Sequence, residues 1–220
     1  MIARYSAGVS AIDLRRGPYP ERPDRWEPPG VPTGPVDGAA PWLDERLFDR
    51  RIVVLRGRLD SVMASQVASA LLVLDLSSGD EPVQLYLSAP DGEMAAAFAV
   101  VDAIDAVRAP VHAVVTSEVG GAAIAVLAAA QRRIAFKHAR IRLAEPRVAT
   151  VAGTADEVTA AAGRYLRELE EMAVRLAEVT GQSRSRIEDD LSVGRIFTAE
   201  EAREYGLIDD IAGPAAPPPE

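Results

Sequence analysis

Arg51-Ile-Val-Val-Leu55, Val83-Gln-Leu-Tyr-Leu87 and Val111-His-Ala-Val-Val-Thr116 are the three stretches of this 220-residue chain that decide its fold. Each is short and rich in β-branched or aliphatic residues, which predicts a β-strand. The segments between them have the length and apolar spacing of helices. A strand, a helix and a parallel strand in this order form a βαβ unit, whose crossover is right-handed. The sequence therefore predicts an α/β domain with a parallel sheet.

Three helices are predicted around these strands. Asp60 and Ser61 cap the first helix, which runs to about Leu76, and the second spans residues 93–106. The third spans residues 122–130 and is almost wholly apolar, so we expect it to be buried.

The longest predicted helix spans residues 155–180. Its apolar residues follow one another at steps of four and three, which places them in one seam along the helix: Val158, Ala162, Tyr165, Leu169, Met172, Leu176 and Val179. Glu171 and Arg175 are spaced for an ion pair beside this seam. Two interpretations stay open, because the seam would pack against its own domain or, in part, against another subunit.

Proline marks the two ends of the folded part. Twelve of the 16 prolines lie in residues 18–41 and 214–219. Proline has no amide proton for a helix or a sheet ladder, so both segments are predicted to be linkers or tails. We expect a poorly ordered proline-rich arm over residues 1–41, one domain over residues 42–212 and a proline-rich tail over residues 213–220.

Composition excludes several classes of function. The formal net charge is −9 and no basic stripe is present, which argues against a nucleic-acid partner. No apolar run reaches the length of about 20 residues that spans a membrane, and Arg4, Asp13, Arg15 and Arg16 argue against a signal peptide. The absence of cysteine removes thiol chemistry and fits a cytoplasmic protein. Without a phosphate-binding glycine loop or metal-ligand spacing, we expect no cofactor and no metal.

Three ordered motifs carry a resemblance to a known family. They are Leu85-Tyr-Leu-Ser-Ala-Pro-Asp-Gly92, Val114-Val-Thr-Ser-Glu-Val-Gly-Gly-Ala-Ala123 and Thr198-Ala-Glu-Glu-Ala-Arg-Glu-Tyr-Gly-Leu-Ile-Asp-Asp-Ile211, the last preceded by Thr180-Gly-Gln182 and Ile187-Glu-Asp-Asp190. Together they resemble the ClpP family, the proteolytic subunits of ATP-dependent Clp proteases. The resemblance covers residues 42–212.

The resemblance implies a crotonase-like fold whose long helix is a handle between two stacked heptameric rings. It implies as partners further copies of this chain, active ClpP paralogues in the same rings, and an AAA+ unfoldase. Tyr86 matches an aromatic position of the family's unfoldase-docking cleft, whereas Ala106 stands where a phenylalanine is usual. Because an aromatic ring buries more area than alanine, we expect a shallower cleft.

The catalytic residues that the resemblance leads one to expect are missing. A serine peptidase needs a nucleophile, a histidine base and a carboxylate that orients the histidine. The flanking motifs place these three positions at Gly121, Ala144 and Gly194. None of these residues has a side chain that attacks, transfers a proton or orients a base. The sequence therefore predicts a catalytically degenerate paralogue with a structural or regulatory role in a ring.

No other residue of the required type replaces them. The chain has only two histidines, His112 inside a predicted strand and His138 six positions before Ala144. A strand advances about 3.3 Å per residue, so His138 is too far away to take the same role. Ser88 and Ser117 are the nearest hydroxyls, and we interpret them as strand-end or turn residues.

The oxyanion hole depends on backbone N–H groups and is therefore expected to persist in shape. The resemblance places its donors at Gly92 and Ala122. Asp91 replaces the first glycine of a pair in the family. A carboxylate at this place would repel the negative charge that develops during acyl transfer; the other interpretation is that Asp91 is an ordinary turn residue.

Two alternatives remain open at this point. The chain would be an active Clp serine endopeptidase subunit if its triad were displaced to other residues. It would be a different crotonase-fold enzyme if Glu93, Glu118 or Glu145 served as an acid or base on an acyl thioester. Fold alone does not decide between such functions.

Overall fold

Helices and strands alternate over most of the computed structural model, which describes residues 41–78, 80–147 and 153–213. The helices are α1 (Pro41–Phe48), α2 (Ser61–Ser77), α3 (Met94–Ala106), α4 (Ala123–Ala129), α5 (Ala155–Thr180), α6 (Arg184–Val193) and α7 (Ala199–Tyr205). The strands are β1 (Ile52–Arg56), β2 (Val83–Ala89), β3 (Val111–Gly120), β4 (Arg132–Phe136), β5 (Arg140–Leu143), β6 (Arg195–Thr198) and β7 (Asp210–Ala212). The predicted α/β fold with βαβ units and a long helix is confirmed.

The strands form one sheet in the order β1-β2-β3-β4-β7, and all pairs along this path are parallel. Strand β5 pairs in parallel with β3, and β6 pairs antiparallel with β5. Successive strands β1, β2 and β3 are joined by α2 and α3, as the sequence spacing predicts. The sheet therefore has a parallel body with a short antiparallel extension at β5 and β6.

Strand β3 is longer than the sequence pattern predicts. The pattern ends at Thr116, whereas the strand continues to Gly120. The reason is that β3 serves two partners on one edge: residues 112–115 pair with β4 and residues 118–120 pair with β5. Pairing with β5 lengthens the strand past a polar stretch, Ser117-Glu118, that has no apolar periodicity of its own.

The apolar core lies between one face of the sheet and the helices. Alternate residues of β1, β2 and β3 are buried there, and α4 is buried over its whole length. The opposite face of the sheet is more open, with half-buried Val54 and Tyr86 side by side in the register of β1 and β2. Burial of α4 confirms the prediction made from its composition.

The handle helix α5 is packed on the domain mainly through its second half, although Tyr165 of the first half also contacts the core. Its buried residues are Met172, Ala173 and Leu176, and its contacts are with α3, α4 and α6. The first half carries Val158 and Leu166 at 42% and 62% exposure. The domain itself therefore covers only part of the apolar seam.

One predicted pair on α5 is wrong. Arg175 pairs with Asp105 at the end of α3 and not with Glu171, and its Nη1 donates to Asp105 Oδ1 at 3.2 Å. Arg175 extends from the handle toward α3, where both carboxylate oxygens of Asp105 accept hydrogen bonds from its guanidinium in a bidentate contact. This contact fixes the packed half of the handle to the domain.

The last segment of the domain is held by one arginine. Arg133 of β4 donates to the carbonyls of Val179 and Gly206 and to the carboxylate of Asp209. These acceptors lie at the end of α5, after α7 and before β7. One guanidinium thus binds the ends of three segments, using the several donors of a rigid fork.

The proposed limits of the domain remain predictions. The described residues belong to one compact unit. The predicted arm over residues 1–41 and the predicted tail over residues 213–220 lie almost wholly outside the described residues. Within the described ranges, no helix is long and apolar enough to cross a membrane.

Candidate functional site

The candidate site lies where four strand ends meet. At this end of the sheet Ala89 of β2 pairs with Val119 of β3, Gly120 of β3 pairs with Arg142 of β5, and Leu143 of β5 pairs with Arg195 of β6. The turns after β2, β3 and β5 and the turn before β6 therefore share one edge. Ligands bind beyond the carboxyl ends of the strands in sheets of this kind. All positions that the family resemblance selected for catalysis lie on these four turns.

Gly121 is the turn residue between β3 and α4. Its φ is +54°, a left-handed conformation that glycine adopts without strain. A Cβ at this position would stand 2.8 Å from Oδ1 of Asp91. The space that a side chain at position 121 needs is therefore partly filled by the carboxylate of Asp91.

Ala144 and Gly194 lie side by side. A Cβ built on Gly194 would be 3.8 Å from the Cβ of Ala144, an ordinary van der Waals distance. Gly194 ends α6 in a left-handed conformation, and the Glu145 N–H donates to the carbonyl of Leu191 in the same helix. The structure thus brings the predicted histidine and aspartate positions together, with methyl and hydrogen in place of imidazole and carboxylate.

Gly92, a predicted oxyanion donor, is packed tightly against the connection between β1 and α2. A Cβ at Gly92 would lie 2.7 Å from the Cβ of Leu59, so the close approach requires glycine. The Leu59 N–H donates to the Asp91 carbonyl and the Glu93 N–H donates to the Leu59 carbonyl, at 3.1 and 2.8 Å. Backbone hydrogen bonds on both sides therefore fix Gly92.

The N–H of Gly92 is not free for a substrate. It donates to Oδ1 of Asp91 at 2.8 Å. The other carboxylate oxygen, Oδ2, lies 3.2 Å from Nη1 of Arg58 and 3.9 Å from Nε of Arg147. Sequence reasoning expected Asp91 to repel an oxyanion, and the structure adds that its carboxylate already occupies the donor.

Ala122, the second predicted oxyanion position, is fully buried at the start of α4. Its side chain is a methyl group, so its only polar groups are its backbone N–H and its backbone carbonyl. That carbonyl accepts from the Ala125 N–H in the first turn of the helix. Both predicted donors therefore lie on the turns that form the site.

The histidines lie away from these turns. His112 is half-buried in the first part of β3, where it pairs with Gln84 and Arg132. It is nine residues from Gly121, which along a strand is about 30 Å. His138 is exposed in the turn between β4 and β5. The structure brings neither histidine to the candidate site.

The two serines predicted to be the nearest hydroxyls hydrogen-bond to each other. Ser88 Oγ and Ser117 Oγ are 2.6 Å apart, beside an irregularity in the pairing of β2 and β3. Among the described residues no histidine hydrogen-bonds to either one. A serine without a base is a weak nucleophile.

The three glutamates of the acyl-thioester alternative lie on different elements. Glu118 of β3 faces Arg142 at 3.5 Å, and Glu93 stands exposed at the start of α3. Glu145 lines a separate cleft of about 320 Å³ between α5 and α6, together with Leu166, Leu169, Glu170, Ala173, Arg184, Glu188 and Leu191. No described contact joins these carboxylates around one reacting atom.

A polar cluster that sequence reasoning missed supports the turn at Gly194. The Tyr205 hydroxyl donates to Asp190 at 2.6 Å, and Arg195 contacts the same carboxylate while it stacks over the Phe197 ring. Burial, and then the hydrogen bond to Asp190, raises the pKa of Tyr205 far above its usual value. The Thr-Ala-Glu-Glu-Ala and Glu-Tyr-Gly motifs can be recognised in the sequence, but the sequence does not indicate that Asp190 of α6 is the partner of Tyr205.

The positions linked to unfoldase docking lie on separate elements. Tyr86 is half-buried in the middle of β2, and Ala106 is the exposed last residue of α3.

Among the described residues no group of three or more histidine, cysteine, aspartate or glutamate side chains is placed to hold a metal ion.

A comparison with known protein families identifies the family of this chain. The sequence of residues 39–215 matches the model of the family described as Clp protease. This range contains every described helix and strand and the four turns of the candidate site. The chain belongs to the Clp protease family.

Proposed function

We propose that this chain is a non-catalytic subunit of a Clp protease ring, with a structural or regulatory role. The observation that carries the proposal is the candidate site itself. Gly121, Ala144 and Gly194 offer no nucleophile, base or orienting acid, and the Asp91 carboxylate occupies the predicted oxyanion donor. Acyl transfer requires that donor to be free for the developing oxyanion.

The exposed handle supports assembly into rings. The first half of α5 leaves Val158 and Leu166 exposed, although they continue the apolar side of the helix that is buried farther along. An apolar stripe on a helix is normally covered by another element. In the proposed assembly another subunit covers it, and the rings are heptameric and contain further copies of this chain or active paralogues.

Helix α2 supports the same proposal. It contains one charged residue, Asp75, in 17 residues, and its outward residues Val62, Leu72, Val73 and Leu76 are 50–82% exposed. Surface helices usually turn charged residues to solvent, whereas helices that are apolar all round are buried. We infer that a neighbouring subunit covers this face.

Membership in the family supports a proposal for the partners of such a ring. We propose that active paralogues supply the catalytic sites and that an AAA+ unfoldase docks on the ring more weakly at this subunit, because Ala106 offers less apolar area than an aromatic residue. We place the assembly in the cytoplasm, consistent with a chain that has no cysteine.

Two measurements test the proposal. The purified chain should neither cleave peptides nor react with a serine-directed phosphonate, and a labelled serine found by mass spectrometry would contradict it. Light scattering should give a mass well above 23.4 kDa for the chain alone or mixed with active paralogues. A monomer under both conditions would contradict the ring role while leaving inactivity intact. Co-purification from the native source identifies the ring partners.

A further inference from the structure

We propose that Gly92, Arg58 and Arg147 form an anion-binding site whose resident ligand is the chain's own Asp91 carboxylate. The inference goes beyond the ring role, because it concerns one cleft and holds whether or not the chain assembles. Its ligand class is the small oxyanion: a carboxylate or a phosphate.

Both oxygens of Asp91 are held by donors. Oδ1 accepts from the Gly92 N–H at 2.8 Å, and Oδ2 lies 3.2 Å from Arg58 Nη1. Arg147 adds a second positive charge at 3.9 Å from Oδ2. Hydrogen bonds in which one partner is charged are about twice as strong as neutral ones. The carboxylate therefore has the surroundings of a bound anion.

The turn that carries Asp91 is fixed independently of this side chain. Leu59 holds the Asp91 carbonyl and the Glu93 N–H, and Arg142 Nη2 donates to the Pro90 carbonyl at 2.7 Å. Gly120 approaches the same carbonyl, since a Cβ there would stand 2.8 Å from it. Removing the carboxylate should therefore empty the site without releasing the turn.

The vacated space is placed for an external anion. The Asp91 side chain is 18% exposed, and its two arginines are 50% and 80% exposed, so the site opens to solvent. A phosphate that replaced the carboxylate would meet one backbone donor and two guanidinium groups, which bind tetrahedral oxyanions well. In the wild-type chain Asp91 excludes such a ligand by occupying its place and by its charge.

The test compares phosphate binding by four forms of the full-length chain at constant ionic strength. These are the wild type, Asp91→Gly, the double variant Asp91→Gly with Arg58→Ala, and Asp80→Gly, which removes an exposed turn aspartate elsewhere. Binding is measured by calorimetry and by the rise of the melting temperature with phosphate, since a ligand that binds only the folded state stabilises it.

Asp91→Gly should bind phosphate, whereas the wild type and Asp80→Gly should not. The double variant should bind about tenfold or more weakly, because it lacks a charged donor. Asp91→Ser, which keeps a turn-forming residue, repeats the test if Asp91→Gly does not fold. Equal phosphate affinity of the wild type and Asp91→Gly would overturn the proposal, as would the absence of binding by both Asp91 variants.

Discussion

Oδ1 of Asp91 lies 2.8 Å from the point where a Cβ on Gly121 would stand, so the two positions compete for one space. This relationship joins the turn after β2 to the turn after β3. It predicts that the stability cost of a side chain at position 121 depends on the residue at position 91.

A double-mutant cycle measures that dependence. Gly121→Ala should destabilise the wild-type chain by about 1 kcal/mol more than it destabilises the Asp91→Gly variant, a coupling typical of residues in contact. The left-handed φ of position 121 costs about 1–2 kcal/mol for alanine in both backgrounds and cancels in the cycle. The free energy of unfolding in denaturant gives all four values.

Gly181 provides a matched control for this cycle. It also has a positive φ, +70°, but a Cβ there would meet nothing within 4 Å. Gly181→Ala should therefore cost the same in the wild-type chain and in the Asp91→Gly variant. Equal costs for Gly121→Ala in the two backgrounds would show that the carboxylate does not occupy this space in solution.

A second prediction concerns restoration of catalysis. The variant Gly121→Ser, Ala144→His, Gly194→Asp with Asp91→Gly installs the three missing side chains and frees the Gly92 donor. A Cβ at position 194 would already be in van der Waals contact with position 144, so histidine and aspartate side chains start from adjacent backbone. Aspartate is among the residues that tolerate the left-handed φ of position 194.

We expect phosphonate labelling at position 121 in this fourfold variant. The same variant with Asp91 retained should label about 100-fold or more slowly, because an occupied oxyanion donor acts as a lost one. The variant without Gly121→Ser is the control and should not label. Variants that restore only one of the three side chains should show little phosphonate labelling, since triad members act as a unit. A folded, assembled fourfold variant that shows no labelling would mean that the cleft has changed shape beyond these four residues.

The fold was largely predictable from the sequence because the determining signals are local. Helix α2 begins after the Asp60 cap and α5 spans the predicted residues, since caps and apolar spacing act within a few turns. The prediction for β3 ended too early because the pairing that extends it, with β5, is contributed by residues about twenty positions away. Pattern reasoning has no access to such a partner.

The same distinction between local and long-range signals applies to the candidate site. The motifs located Gly121, Ala144, Gly194 and Gly92, and the structure places all of them on turns at one edge of the sheet. The position of the Asp91 carboxylate was not predictable, because it depends on a side-chain rotamer and on Arg58 and Arg147 from two other turns. The Tyr205–Asp190 contact was missed for the same reason, as it joins α7 to α6.

A third prediction concerns pH and the cap of α7. Hydrogen bonds from Thr198, first from its backbone and then from its side chain, hold the pKa of Glu201 below its usual value. A carboxylate with a lowered pKa in the folded state adds stability above its unfolded pKa, about 4.3. That stability is lost as the pH falls through the folded value.

Glu201→Ala should therefore lower the melting temperature at pH 7, and its effect should shrink as the pH falls from 7 toward 3, because protonation of the wild-type carboxyl removes its hydrogen bonds with Thr198. Melting curves of both chains across this range test the prediction. Glu204→Ala removes another glutamate of the same helix that makes no cap and is the control. An equal loss at both pH values would show that Glu201 acts by helix propensity alone.

A last prediction separates the two halves of the handle. In the first half Leu166 is 62% exposed, whereas in the second half Leu176 is 1% exposed. Leu166→Glu should leave the free energy of unfolding of the subunit within about 0.5 kcal/mol, as is usual for surface substitutions. Leu176→Ala should cost about 2–5 kcal/mol, because it leaves a cavity in the core.

If another subunit covers the first half, Leu166→Glu buries a charge in an apolar contact and should lower the mass of the assembly in light scattering. Leu176→Ala should lower stability first and mass only as the subunit unfolds. An unchanged mass for Leu166→Glu would show that this part of the handle faces solvent in the ring, and the covering surface would then have to be sought on α2.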